Sequence, residues 1–236
     1  MSAEPKINCD RYDRYIIYVL QPPRYKLKGD LEKALKNNIY REVNKMDKEL
    51  MRNFLIKEVI PPRNSTEHKK DRLWDAVRKA NRDVMTAART GNIEKYAEAN
   101  KDGQYATVQS LYDIIRMEKE PLCSADLIKK LRKKNKEIEF GAVQKLVNMT
   151  LKYLIIINAF ENEEFNICEE KCDCPLDSAI LKKLKDLNKI EHECWTKIDD
   201  AEYDSIQTEI SEHLKTEYPA KAYGNIWFDF VEWDKI

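Results

Sequence analysis

Lys145 and Asp177 are the two residues of this chain best framed for covalent chemistry. Lys145 lies in Gly141-Ala-Val-Gln-Lys-Leu-Val-Asn-Met-Thr-Leu-Lys-Tyr-Leu154, a run with helical character, and Asp177 closes Cys174-Pro-Leu-Asp at the opening of a later helical pattern. An amine beside a carboxylate can attack an electrophilic carbon, while the carboxylate steadies the developing positive charge and helps to move protons. A free lysine is almost wholly protonated at neutral pH, so it needs partial desolvation or neighbouring cations before it can act as a nucleophile. Val143, Leu146 and Val147 offer the first, and the preceding Lys133, Lys134 and Lys136 offer the second. The same residues also have an ordinary structural explanation. Proline in a first turn and an acid at a helix N-terminus mark many helix starts, and a lysine on an amphipathic helix can lay its stem along apolar neighbours.

A second constellation is Cys168, Cys172 and Cys174 followed by His192 and Cys194. Thiolates and imidazole are zinc ligands, and a metal there would brace the loop before Asp177. The spacing matches no standard knuckle, and reduced thiols in a loop satisfy it equally, so we expect no metal and no cofactor. His68, His192 and His213 are too scattered for a triad. Walker, Gly-x-Ser-x-Gly, His-Glu-x-x-His and dinucleotide fingerprints are absent, which removes the usual support for nucleotide hydrolysis, esterase, zinc-protease and dehydrogenase readings.

The elements that must position these residues read as helices. Tyr12, Tyr15, Ile16, Val19 and Leu20 suggest a first helix stopped by Pro22-Pro23, and Lys28 to about Ile60 one or two more, ended by Pro61-Pro62. Ser65-Thr-Glu-His68 reads as a helix start for the stripe Leu73, Trp74, Val77, Val84, Met85 and Ala88, with Gly91 as its C-cap. Val108, Leu111, Tyr112, Ile115 and Met117 mark the next helix, and a short one runs from Ser124 or Asp126 through Leu131 into a basic run. After the Lys145 helix and a polar, acidic segment, helical spacing resumes at Leu176, Ile180, Leu181, Leu184 and Leu187, then at Tyr203, Ile206, Ile210 and Leu214. Ile226 to Trp233 alternates like a strand and is expected to dock as an extended aromatic tail. The pattern predicts an all-α protein of about eight to ten helices, a single helical domain over 1–236 that divides into two lobes near residue 120.

The chain of 236 residues, 36% charged and 42% apolar, has few glycines and prolines and suits folded helices with charged outer faces. Its formal net charge is zero, which taken alone argues against a nucleic-acid partner. The distribution is uneven: residues 1–160 carry 33 Lys/Arg against 22 Asp/Glu, and residues 161–236 carry 9 against 20. A basic surface for DNA is therefore available. The richest apolar stretch, Leu151 to Phe160, is too short and too polar to span a bilayer, and no signal-like segment follows Met1, so we expect a cytoplasmic protein without a membrane partner.

Gly141, Gln144-Lys145 and Pro175-Leu-Asp177, with lysine and aspartate 32 positions apart, resemble the helix-hairpin-helix DNA glycosylase superfamily, most closely its archaeal 8-oxoguanine glycosylase branch. The likeness covers about residues 124–190. It implies base excision, with Lys145 as the Schiff-base nucleophile, Asp177 as its electrostatic partner, Gln144 and Asn148 assisting on the same helix, and Lys133, Lys134, Lys136 and Gly141 at the DNA backbone. A base turned out of the duplex needs an aromatic or apolar wall. Trp74, Trp195, Trp227 and Trp233 are the candidates, and we favour Trp227 and Trp233 because a terminal tail can close over a cleft. The family's Leu-Pro-Gly-x-Gly hairpin is not present: Ile138-Glu-Phe-Gly141 keeps one glycine and no proline. Two other classes fit parts of the pattern. One is a non-catalytic helical interaction module. The other is a helix-turn-helix DNA reader over Ser124–Leu154, with Ile155 to Phe160 as a wing strand, although the second helix looks too apolar for a recognition helix.

Overall fold

We describe a computed structural model, covering residues 71–88, 93–101, 104–160, 165–191, 194–218 and 224–232. The helices expected within residues 1–60, the start at Ser65–His68 and the cap at Gly91 lie outside the described residues. Among those described, the protein is all-α, with eight α-helices. They are α1 (Arg72–Ala88), α2 (Glu94–Asn100), α3 (Ala106–Met117), α4 (Ser124–Lys134), α5 (Phe140–Phe160), α6 (Ser178–Asp186), α7 (Asp200–Glu217) and α8 (Ile226–Glu232).

The axis of the fold is α5, whose residues 141 to 157 are all buried. It packs most extensively against α1 and then α4, while α3 bridges α1 and α4. The reason is composition: the helix is apolar around most of its circumference, and such a helix must be covered on all sides. Its neighbours are amphipathic and offer one stripe each. In α1 these are Leu73, Trp74, Val77 and Val84; in α3, Val108, Leu111, Ile114 and Ile115; in α7, Tyr203, Ile206, Ile210 and Leu214. The buried apolar residues from Leu73 to Phe228 join in one core. A window of α5, Phe140–Asn158, has the length and apolarity of a bilayer-crossing helix, with mean hydropathy 1.3 over 19 residues, yet it is wholly buried within the bundle. The apolar stretch is therefore longer than Leu151 to Phe160.

Several local expectations are corrected. The Lys145 helix does not end at Leu154; Ile155 to Phe160 continue it, because nothing in that run breaks a helix, and no wing strand forms there. Within the described residues α1 runs from Arg72, and the Asp71 carboxylate accepts from the Trp74 N–H at 3.0 Å, a contact that does not bear on Ser65–His68. Helix α4 extends past Leu131 to Lys134, so its last turn is basic, the favourable end of the dipole for cations. Met117 is 69% exposed and does not join the α3 stripe. The C-terminal aromatic strip is helical: Ile226, Trp227 and Phe228 occupy successive positions of α8 and are all buried. An alternating pattern this short and apolar is compatible with either geometry, and packing decides.

The charge asymmetry of the chain is partly consumed inside it. Arg132 pairs with Asp200, Lys145 with Asp177, and Lys152 with Asp229, each joining the basic segment to the acidic one.

Candidate functional site

Gly141, Gln144, Lys145, Asn148 and Lys152 recur at three- and four-residue steps, so they share one face of α5. This face is a polar seam on an otherwise apolar helix, and every member is buried. A buried polar group must find a partner. Here much of the partnering comes from the irregular chain between Phe165 and Asp177, which contains only the short 3-10 turn Glu169–Lys171.

That segment has no sheet to satisfy its backbone, and side-chain carboxamides take the place of neighbouring strands. Gln144 donates through Nε2 to the Leu176 carbonyl at 3.0 Å and accepts the Leu176 N–H at 3.2 Å. Gln207 of α7 does the same for Cys174, at 2.8 and 3.1 Å. Asn158, near the end of α5, does it for Phe165, at 2.7 and 2.8 Å. Each carboxamide completes both backbone groups of one residue, as a strand partner would. A parallel bridge between Leu122 and Ile167 and the Ser124 hydroxyl, which accepts the Asp173 N–H at 2.7 Å, anchor the segment to the start of α4.

These clamps deliver Asp177 to Lys145. Asp177 is the N-cap of α6, and its Oδ1 accepts the N–H groups of Ala179 and Ile180 at 2.9 and 3.1 Å. Its Oδ2 faces the Lys145 Nζ at 3.5 Å. The carboxylate thus uses one oxygen to fix its orientation and the other to meet the amine. The lysine side chain is 9% exposed and the aspartate side chain 34%, so the pair is open to solvent from the carboxylate side. On another side of the amine lies the Trp195 ring, whose centroid is 4.5 Å from Nζ.

Gly141 explains how that ring comes so close. Trp195–Lys197 forms a short 3-10 turn against α5. A Cβ at Gly141 would stand 2.3 Å from the Trp195 carbonyl oxygen and 3.0 Å from the Thr196 Cα. Only a glycine permits this approach. The glycine thus serves the packing of Trp195–Thr196 on α5, one helical turn before Lys145.

Asn148 extends the seam. Its Nδ2 donates to the Tyr203 hydroxyl at 2.8 Å, and Tyr203 donates to Asp173 Oδ2 at 2.9 Å. Burial pushes the Asp173 carboxyl up to about 6, with the Tyr203 hydrogen bond opposing the shift and Asp204 adding to it. Further along, Lys152 and Asp229 form an ion pair within the core, docking α8 on α5; burial moves the Lys152 ammonium below the usual lysine range, against the pull of Asp229.

The structure brings Lys145, Asp177, Gln144 and Asn148 together and leaves other expected residues apart from them. Trp227 is 1% exposed, a core residue of α8 that offers no open face for stacking, and Trp233 lies outside the described residues. Lys133, Lys134 and Lys136 are exposed at the end of α4 and just beyond it. The turn after them is committed elsewhere: Glu139 accepts the N–H groups of Lys95 and Tyr96 at 2.9 and 3.0 Å, tying it to the start of α2. Among the described residues, no three His, Cys, Asp or Glu side chains are grouped to hold a metal; His192 of the set considered from sequence lies outside the described residues. Burial drives the Cys172 and Cys174 thiols upward, away from the thiolate form. Gln207 and Asp173 were not singled out from sequence, and Tyr203 was read only as part of an apolar stripe. A signal was available: Gln207 lies one residue from Ile206 on the buried stripe of α7, and a carboxamide at a core position needs a partner.

The chain matches no protein-family model, no characterised protein and no solved structure.

Proposed function

We propose that this chain is a DNA glycosylase with associated β-lyase activity, acting in the cytoplasm on a damaged or modified base. The observation that carries the reading is the 3.5 Å approach of the Lys145 amine to Asp177, with the carboxylate oriented by the α6 N-terminus. In the reaction the Lys145 ammonium gives up a proton to solvent water, and its nitrogen then bonds to the sugar carbon bearing the base. The base leaves with the electrons of the glycosidic bond and takes up a proton from water. Asp177 offsets the positive charge on the sugar during that exchange. Opening of the sugar gives an imine to Lys145, and loss of the adjacent proton expels the 3′ phosphate. Lys133, Lys134 and Lys136 are the exposed cations offered to the DNA backbone.

Two observations weigh against the other classes. Residues 141 to 157 of α5 are buried on every side, which leaves no face to enter a groove. Lys145 is turned inward to Asp177, whereas a contact lysine of an interaction surface would be exposed.

Borohydride trapping on duplexes carrying a panel of modified bases and a preformed abasic site tests the reading. A covalent adduct is expected with the wild type and none with Lys145→Gln. Asp177→Asn is expected to slow adduct formation by about 100-fold or more. An adduct that persists in Lys145→Gln, or no adduct with any of these duplexes, rejects Lys145 as the nucleophile.

A further inference from the structure

We propose that Trp195 is a positioning residue for Lys145: its ring, admitted by the bare Gly141, holds the amine against Asp177 and leaves it open only from the carboxylate side. This rests on the reading of Lys145 as a nucleophile and adds a part to that site.

Three observations carry it. The Trp195 centroid lies 4.5 Å from Nζ, within reach of a cation–π contact, and the residue is 4% exposed, so the contact is desolvated where such contacts are strongest. The carbonyl of the same residue is seated where the Gly141 side chain would be. Glycine and lysine are one turn apart on α5, so the absence of one side chain and the placement of the other are coupled through a single residue of the Trp195–Lys197 turn, the strap across this end of α5. Asp177 alone does not fix the amine. At 3.5 Å the contact is long for a charged hydrogen bond, and a four-carbon stem has rotamers that would carry Nζ away from Oδ2. The ring removes those that point towards the strap. What remains is an amine whose free approach is shared with a carboxylate, the arrangement a nucleophile needs when charge develops on the carbon it attacks.

The test uses the full chain with Trp195→Phe, Trp195→Leu and Gly141→Ala. Phenylalanine keeps an aromatic face, leucine keeps apolar bulk without one, and the alanine displaces the strap while retaining both Trp195 and Lys145. Borohydride trapping is measured on DNA with a preformed abasic site, so base recognition does not enter. Separately, reductive alkylation by formaldehyde and cyanoborohydride without DNA is read at Lys145 by peptide mass spectrometry, with exposed Lys133 and Lys134 as internal references. Trapping is expected to fall about 10- to 30-fold in Trp195→Leu and Gly141→Ala, and to stay within about 3-fold in Trp195→Phe. Alkylation at Lys145 is expected to move the other way, rising about 3-fold or more in Trp195→Leu because the shielded side opens, and not in Trp195→Phe.

A role limited to filling space predicts something different: phenylalanine and leucine would both lose trapping in step with their thermal midpoints, with no opposite change in alkylation. That result overturns the proposal, as does trapping by Trp195→Leu at the wild-type rate. If the wild type forms no adduct with DNA, the nucleophile reading fails by itself, and alkylation alone still decides the placement of the amine: unchanged Lys145 labelling in Trp195→Leu rejects it, and the rise supports it.

Discussion

Replacing Gln144 with alanine tests whether the carboxamide clamps hold the site together. The substitution removes two hydrogen bonds to Leu176, at 3.0 and 3.2 Å, and a longer one accepted from Asn148 at 3.4 Å, and it leaves both backbone groups of Leu176 in a position with no exposure to solvent. A net hydrogen bond contributes about 1 kcal/mol, and a buried group left without a partner costs about 1–3 kcal/mol. Alanine leaves space that water could enter to satisfy one of the two, so the expected loss is about 3 kcal/mol. For a chain of 236 residues this corresponds to a fall in thermal midpoint of about 6–12 °C. Circular dichroism melts at two scan rates, with urea titrations at 25 °C, measure it. Gln144→Glu sharpens the test, because a carboxylate can still accept the Leu176 N–H but cannot donate to its carbonyl. It should be destabilised at pH 7 and recover partly at pH 4, where a protonated carboxyl donates again. Both variants should also slow borohydride trapping, since Leu176 precedes Asp177. A loss below about 1 kcal/mol in Gln144→Ala would falsify the clamp as a determinant of the segment's position.

Asp173→Asn should stabilise the protein at neutral pH. The native carboxyl is held at about 6, against an ordinary value of 3.8, so the folded state binds its proton more tightly and the wild type loses stability as pH rises between those values. The unfolding free energy of the variant minus that of the wild type, from urea titrations, should therefore grow from pH 4 to pH 6 and level off above it, reaching about 1 kcal/mol after allowance for the partial exposure of the group; a flat difference rejects the assignment. Lys152→Met should cost about 3–5 kcal/mol by taking the cation away from the buried Asp229 carboxylate, and adding Asp229→Leu should recover most of that in urea titrations. A double variant no more stable than Lys152→Met would mean that the pair does more than neutralise itself.

How far the sequence discloses this structure depends on which contacts set each feature. The buried stripes of α1, α3 and α7 follow from helical spacing alone, because an amphipathic helix has one way to face a core. The pairing of Lys145 with Asp177 was also suggested by residue type, since each stands in a recognisable local frame. The way they meet was not, because it depends on Gln144 and Gln207 reaching across to backbone atoms far along the chain, and periodicity carries no information about such contacts. Trp195 was one tryptophan among four by composition, and only the space left by Gly141 distinguishes it. The terminal strip misled because a short apolar alternation fits a strand, while Lys152 offers the partner that Asp229 finds from α8.

The carboxamide clamps bear on how such a chain can drift over evolutionary time. Gln144, Gln207 and Asn158 grip Leu176, Cys174 and Phe165 by their peptide groups, which every residue but proline offers alike. A change of side chain at a gripped position leaves the peptide groups that the carboxamide holds, provided that Cys174 and Leu176 are replaced by residues that still fill the core, whereas loss of a gripping residue removes the grip. Descendants of one ancestor can therefore differ at the exposed positions Asn166, Glu170 and Lys171 and still present Asp177 at the same place.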